Sequence, residues 1–261
     1  SDTTSPSNSI PIDSNYNSES AKYYSVNILH SINLNDKIQI DELEISREGN
    51  LFIENKADLE VLLDININSG SLKNGNILRG RNLIFVDGIF ENLHNTFVDN
   101  NFIATNTSIF NEGTINANKI QIDQGTVYGT GIFNSSKFFN QGKINPGSES
   151  NLFGTLTFEA NLINEGTIEL DINKSQSDNL ILDELTMGGL LVIKPAINLY
   201  SGNTSYALLG FQKKNGLEFD NFEIDKTNLG RLRHELVYRD KSIDLNLFNP
   251  SYENLGSNSK S

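Results

Sequence analysis

The 261 residues contain no cysteine, which excludes disulfides, thiolate zinc sites and thiol catalysis. Histidine is nearly as scarce. His30, His94 and His234 stand far apart, with no HxxxH or HxH spacing to suggest a metal or a catalytic base. No apolar run approaches the roughly 20 residues of a membrane-spanning helix, so this chain is expected to make no direct membrane insertion. Basic residues are outnumbered, 20 Lys and Arg against 33 Asp and Glu, for a net charge of -13. That balance argues against nucleic acid and anionic lipid as partners, both of which call for clustered Lys and Arg. Gly-x-Ser-x-Gly, P-loop and dinucleotide fingerprints are missing, as are Gly-Gly-x-Gly-x-Asp calcium repeats. No cofactor is expected.

What is present is a texture of short, Gly-punctuated β-strands. Leu59, Val61, Leu63, Ile65 and Ile67 alternate cleanly, and Tyr24-x-Val26-x-Ile28 and Ile38-x-Ile40 repeat the pattern in shorter runs. Three phrases are near copies: Phe110-Asn-Glu-Gly-Thr-Ile, Phe139-Asn-Gln-Gly-Lys-Ile and Ile163-Asn-Glu-Gly-Thr-Ile. They lie about 24 to 29 residues apart, the range of a repeat architecture. A sandwich, an antiparallel barrel and a solenoid all use such strands. Sparse hairpin signals and a repeat of one three-strand coil favour the solenoid.

The expected fold is therefore all-β, a right-handed parallel β-helix. Phe110, Ile115, Phe139, Ile144, Ile163 and Ile168 are its expected inward residues, with Gly supplying φ > 0 corners and Asn stacking between coils. Four regions follow: an arm at 1–20, the β-helix at 21–184, a β-sandwich-like cap at 185–248, and a polar tail at 249–261. The cap is expected because a solenoid's last coil otherwise leaves an unpaired, aggregation-prone edge. The arm opens Ser1-Asp-Thr-Thr-Ser-Pro, which reads as a mature or trimmed terminus. Its Ile10-Pro11-Ile12 segment is a candidate strand for pairing with a neighbouring copy, and such a head-to-tail contact would build filaments.

From Gly129 to Phe248 the order of phrases resembles the C-terminal part of the passenger region of autotransporter-type surface proteins. The phrases are Gly129-Thr-Gly, Ile144-Asn-Pro-Gly-Ser, Gly154-Thr-Leu-Thr-Phe, Asn164-Glu-Gly-Thr-Ile-Glu-Leu-Asp-Ile and Ser177-Asp-Asn-Leu. Gly188-Gly-Leu-Leu-Val-Ile, Tyr206-Ala-Leu-Leu and Tyr238-Arg-Asp-Lys-Ser-Ile-Asp-Leu-Asn-Leu complete the series. The resemblance implies a capped β-helix exported to the surface of a Gram-negative-type bacterium. The family usually continues into a translocator barrel, and this sequence stops at Ser261.

Two functions compete. One is a non-enzymatic extracellular structural or adhesive rod, with further copies of itself or cell-surface glycans as partners. The other is a carbohydrate-binding or polysaccharide-cleaving β-helix, for which Asp64, Asp87, Asp99 and Asp123 are the candidate carboxylates on one face. Lys73, Arg79, Arg81 and Lys119 are the bases within reach of a lyase mechanism. Aromatic and acidic side chains converging on one lateral face would favour the carbohydrate reading. A bland Asn, Ser and Thr face would favour the plain rod.

Overall fold

The computed structural model describes residues 23–148 and 152–250. Every regular element among them is a β-strand, and the strands pair almost entirely in parallel into sheets of 13 and 10 strands. The result is a β-solenoid of about 9 turns. One turn runs through a long strand such as Asn95–Thr105, a tight corner at Asn106 and Thr107, and a short strand such as Ser108–Asn111. The long strand is broken by a register shift between Val98 and Asn101, so each such turn carries three strand segments. Parallel strands need long crossovers, and here each crossover is the rest of the coil.

Alternation decides what points inward, and register then stacks like upon like. In the short-strand sheet Leu51, Leu72, Phe90, Ile109, Val127, Ile144 and Ile168 form one continuous inward row. All are buried, as is Ile115 in the long-strand sheet. Two phenylalanine clusters fill the middle of the core. Phe85, Phe90 and Phe102 have ring centroids 5.1 to 5.9 Å apart, and Phe133, Phe138 and Phe158 lie 4.9 to 5.2 Å apart. Rings at these distances attract beyond their buried area, by about 0.5–1.5 kcal/mol per pair.

Three of the six expected core residues face out instead. Phe110, Phe139 and Ile163 are half-buried, while the residues flanking each of them, Ile109 and Asn111, Phe138 and Asn140, Leu162 and Asn164, are buried. A strand of period two cannot bury neighbours on the same face, so burying Phe138 turns Phe139 outward. The inward Asn residues are satisfied by one another. Asn74 Nδ2 donates to Asn92 Oδ1 at 2.9 Å, Asn92 Nδ2 to Asn111 Oδ1 at 2.8 Å, and Asn140 Nδ2 to Asn164 Oδ1 at 2.7 Å.

These ladders also show that the three sequence copies are not equivalent. Asn111 ends a short strand, whereas Asn140 and Asn164 end long strands at a different corner. The true coil is 18 residues from Asn74 to Asn92 and 19 from Asn92 to Asn111, widening to 24 from Asn140 to Asn164. The expected 29-residue step from Phe110 to Phe139 joins two different corners.

The glycines of those phrases act by size. A Cβ on Gly113, Gly142 or Gly166 would collide with the backbone of the preceding coil. Positive φ is carried at the corners that follow the earlier long strands by Ser69, Asp87, Asn106 and Gln124, at 58°, 53°, 49° and 57°, and by glycine at Gly129, Gly147, Gly189 and Gly216. Non-glycine residues hold this conformation where stacking over-determines it. Ser69, Asp87 and Asn106 each donate the backbone N–H to the next coil, to the carbonyls of Val86, Thr105 and Asp123.

The solenoid extends beyond the expected boundary at 185. Leu190–Pro195, Thr204–Asn215 and Asn221–Ile224 all stay parallel to the coil before them. Antiparallel pairing begins with Ser242–Phe248 on Thr204–Asn215 and continues with Arg233–Tyr238. The closing element is thus a hairpin added to the long-strand sheet rather than a sandwich. The repeat looks lost after 185 because the connections at 196–203 and 216–220 lengthen, while inward alternation persists through Leu191, Ile193, Leu209 and Phe211. The expected arm, with Ile10, Pro11 and Ile12, lies outside the described residues, as does the tail beyond Pro250.

Candidate functional face and loop ridge

The outer face of the short-strand sheet collects side chains in two parallel rows. One row is mostly hydroxyl and amide: Asn50, Ser71, Ser108 and Thr126, interrupted by Ile89 and continued by Lys143. The row beside it runs Phe52, Lys73, Glu91, Phe110, Tyr128 and Asn145, with Glu169 beyond. Strand spacing sets the rise between successive side chains at about 4.8 Å.

Contacts within the second row fix its geometry. Lys73 Nζ sits 5.8 Å from the Phe52 ring centroid and 2.6 Å from a Glu91 carboxylate oxygen. Phe110 and Tyr128 pack ring on ring at 5.1 Å, tilted by 33°. Glu169 Oε1 accepts from Asn145 Nδ2 at 2.8 Å and from Lys143 Nζ at 3.2 Å. Such partly exposed ion pairs contribute at most about 1 kcal/mol. Their effect is to hold the side chains in place and cancel charge on this face. A shallow groove opens over its first coils, lined by Asn33, Phe52, Ser71, Lys73, Ile89 and Glu91. On the long-strand sheet Phe97 lies under the Arg79 guanidinium at 4.3 Å, and Phe139 is half-buried.

One corner carries most of the insertions. The connection from each short strand to the next long strand is tight at Gly75–Asn76, Leu93–His94, Glu112–Gly113 and Thr130–Gly131. It lengthens at 147–154, 173–178, 196–203 and 225–232, in successive coils. Insertions that stack on one side of a repeat protein build a lateral surface. Here the stacked connections form a ridge bonded from coil to coil. Gly154 N donates to Asp178 Oδ1 at 2.8 Å, Tyr200 Oη to Ile172 O at 2.8 Å, Tyr206 Oη to Asn173 O at 2.7 Å, and Asn228 Nδ2 to Pro195 O at 2.8 Å. Ile197 and Leu199 project from it, 89% and 92% exposed.

Burial perturbs the titrating groups of the ridge. It pushes the Asp178 carboxyl up to about 7, helped by the Asp171 and Glu169 charges and opposed by two backbone N–H donors. Asp171 is raised by burial and then by Glu169, and burial takes the Tyr200 phenol to about 12.

The candidate carboxylates read from sequence do not assemble. Asp64 pairs with Arg81 at 3.3 Å and accepts from Asn82 at 2.9 Å on the long-strand sheet. Asp99 lies at the bulge within Asn95–Thr105. Asp87 and Asp123 belong to the corner after the long strands, where Asp87 accepts from Asn106 Nδ2 at 2.6 Å. Of the candidate bases only Lys73 belongs to the short-strand face; Arg79, Arg81 and Lys119 sit on or beside the long strands. His30 and His94 occupy exposed corners, and His234 lies in Arg233–Tyr238, its pKa lowered by burial. Among the described residues no three His, Cys, Asp or Glu side chains gather as a metal site.

Sequence reasoning misses this row because apolarity places Phe110 among the expected inward residues, whereas burial of Ile109 turns it outward. The 18-residue step from Phe110 to Tyr128, the same as between Asn74 and Asn92, is the signal that finds it. No protein-family model matches the chain, and no curated protein matches it either.

Proposed function

We propose that the protein is a non-enzymatic, extracellular adhesive rod that holds glycan chains against the outer face of its short-strand sheet. The carrying observation is the Phe110–Tyr128 ring pair, in one row with Phe52, beside a row of hydroxyl and amide side chains on one rigid face. Aromatic rings give apolar platforms for the C–H faces of sugars, and fixed Ser, Thr and Asn side chains offer donors and acceptors to their hydroxyls. Because the face cancels its charges, through Lys73–Glu91 along one row and Lys143–Glu169 between the two, a neutral glycan is the better match. The resemblance to autotransporter passenger regions supports the surface location.

Binding rather than cleavage is favoured because Glu91 and Glu169 are committed to lysines. Glycosidases instead hold two carboxylates free to act on the bond between them. The test is binding of immobilised neutral polysaccharides by the wild type and by the Phe110→Ala, Tyr128→Ala double variant. Both rings are half-exposed, so the variant should fold with a Tm within a few degrees of wild type. It should bind at least about tenfold more weakly, the equivalent of about 1.4 kcal/mol. Undiminished binding by the variant, or release of soluble sugar by the wild type, would defeat the proposal.

A further inference from the structure

Two separate features of the short-strand face offer apolar surface to a ligand. One is the Phe110–Tyr128 ring pair. The other is the shallow groove over the first coils, with a volume of about 220 Å³. Phe52 and Ile89, the latter 48% exposed, supply the apolar surface of the groove, and Asn33, Asn50 and Ser71 its neutral donors and acceptors. Lys73 Nζ lies 5.8 Å from the Phe52 ring centroid and 2.6 Å from a Glu91 carboxylate oxygen. Both charged groups are thus held in place, and each keeps hydrogen-bonding capacity: the ammonium carries three N–H groups, and the carboxylate has lone pairs to spare.

Register places the two features in line. Phe52 is paired with Lys73, Lys73 with Glu91, Glu91 with Phe110 and Phe110 with Tyr128, one coil per step. Pairing over these five strands has no register shift, so the row is continuous. Phe52 and Phe110 therefore stand three strand spacings apart, about 14 Å along the rod axis. A ligand that touches both features has to be extended and has to run along that axis. Among neutral glycans, β-1,4-linked chains of equatorially joined pyranoses have this shape. Each ring advances such a chain by close to one strand spacing, and its faces carry apolar C–H groups. An α-1,4-linked chain of the same sugar coils and leaves the row within a few rings.

We propose that this face takes one extended, neutral, β-1,4-linked chain parallel to the rod axis, with rings seated on Phe52 in the groove and on Phe110–Tyr128 three coils away. The proposal rests on the glycan reading above and adds the linkage class, the direction of the chain and a minimum length of about four rings. Lys73 and Glu91 meet the rings that bridge the two subsites, donating to and accepting from their hydroxyls. Two weak subsites joined by one chain act as a stronger site, because the second contact is made intramolecularly. The stacked coils hold both platforms in line before the chain arrives, so little ordering of the protein opposes binding.

Titration calorimetry on the whole protein tests it, with oligomers of β-1,4-linked glucose from two to six rings beside α-1,4-linked oligomers of the same lengths. Affinity should rise at least about tenfold between the β-linked trisaccharide and hexasaccharide, and the α-linked series should show no such step. Phe52→Ala should remove the step and leave trisaccharide binding at the ring pair, whereas Phe52→Tyr keeps a ring and should keep the step. Should Phe52→Ala lose the fold, Ile89→Asn, at an exposed position of the same groove, takes its place with the same expectation. Equal affinities for the two β-linked oligomers, a step that survives the groove variant, or an equal step in the α-linked series would overturn the extended-chain site and leave the glycan reading standing. Absence of binding at every length in both series would remove the glycan reading itself, and this inference with it.

Discussion

Phe138 and Phe139 are chemically identical neighbours with opposite duties, and composition alone could not rank them. The first packs against Phe133 and Phe158 at zero exposure; the second lies half-buried on the outer face between Gln121 and Ile163. Phe138→Ala should therefore cost about 3–5 kcal/mol through transfer and cavity terms. Phe139→Ala should cost about 1 kcal/mol, as for other changes outside the packed interior. Urea denaturation of the two variants separates these outcomes, and equal losses would contradict the register. The inward Asn residues sharpen the same point. Reading buried positions from apolarity finds Ile115, Ile144 and Ile168 but passes over Asn92, whose amide bridges Asn74 and Asn111. Asn92→Ala should cost about 1–3 kcal/mol, because two neighbouring amides lose partners where water cannot replace them. A neutral Asn92→Ala would show that the ladder contributes shape alone.

Among the elements, the closing hairpin has the most defined task. Thr204–Asn215 is the last long strand of the solenoid, and Ser242–Phe248 covers its open edge with Ile243, Leu245 and Leu247, all buried. Truncation before Arg233 removes that cover and leaves a twelve-residue edge carrying Leu209 and Phe211. Such an edge is a template for intermolecular pairing. The truncated protein should form aggregates by light scattering at concentrations where the full chain does not, and persistent monomers would remove the capping role. The need for a closing element is legible from the solenoid reading itself, since a last coil must be covered; its extent is not. A strand's pairing direction leaves little trace in its own alternation, so Thr167–Ile172, which belongs to the parallel stack, and Ser242–Phe248, which reverses it, look alike in sequence.

At the scale of the molecule the two ends of the rod differ, and stability should follow that asymmetry. Each coil is bonded to its two neighbours, so local stability is set by how well both sides are covered. The described first coil, Ser25–Ile28, Ser31–Leu34 and Ile38–Ile40, is covered on one side. Ile32 makes the consequence visible. Its register partner Leu51 is buried at 4%, yet Ile32, pointing the same way, is 45% exposed because no described coil lies above it. Val26 and Ile38 are likewise only partly buried. The sequence pattern assigns all three to the inside, correctly as to direction, and says nothing about whether a neighbour arrives to cover them. Fewer buried contacts and one-sided ladders mean cheap local opening. Amide exchange should therefore rise toward the N-terminal end: fast across 25–40, and slowest around the phenylalanine clusters from Phe85 to Phe158. An engineered Leu83→Ala should destabilise the rod by about 2–5 kcal/mol, and Leu34→Ala by clearly less, since its site can open on its own. Full protection of 25–40 together with equal losses for the two variants would mean that the first coil is covered, by the residues that precede Tyr23 or by another copy, and that the end is closed rather than open.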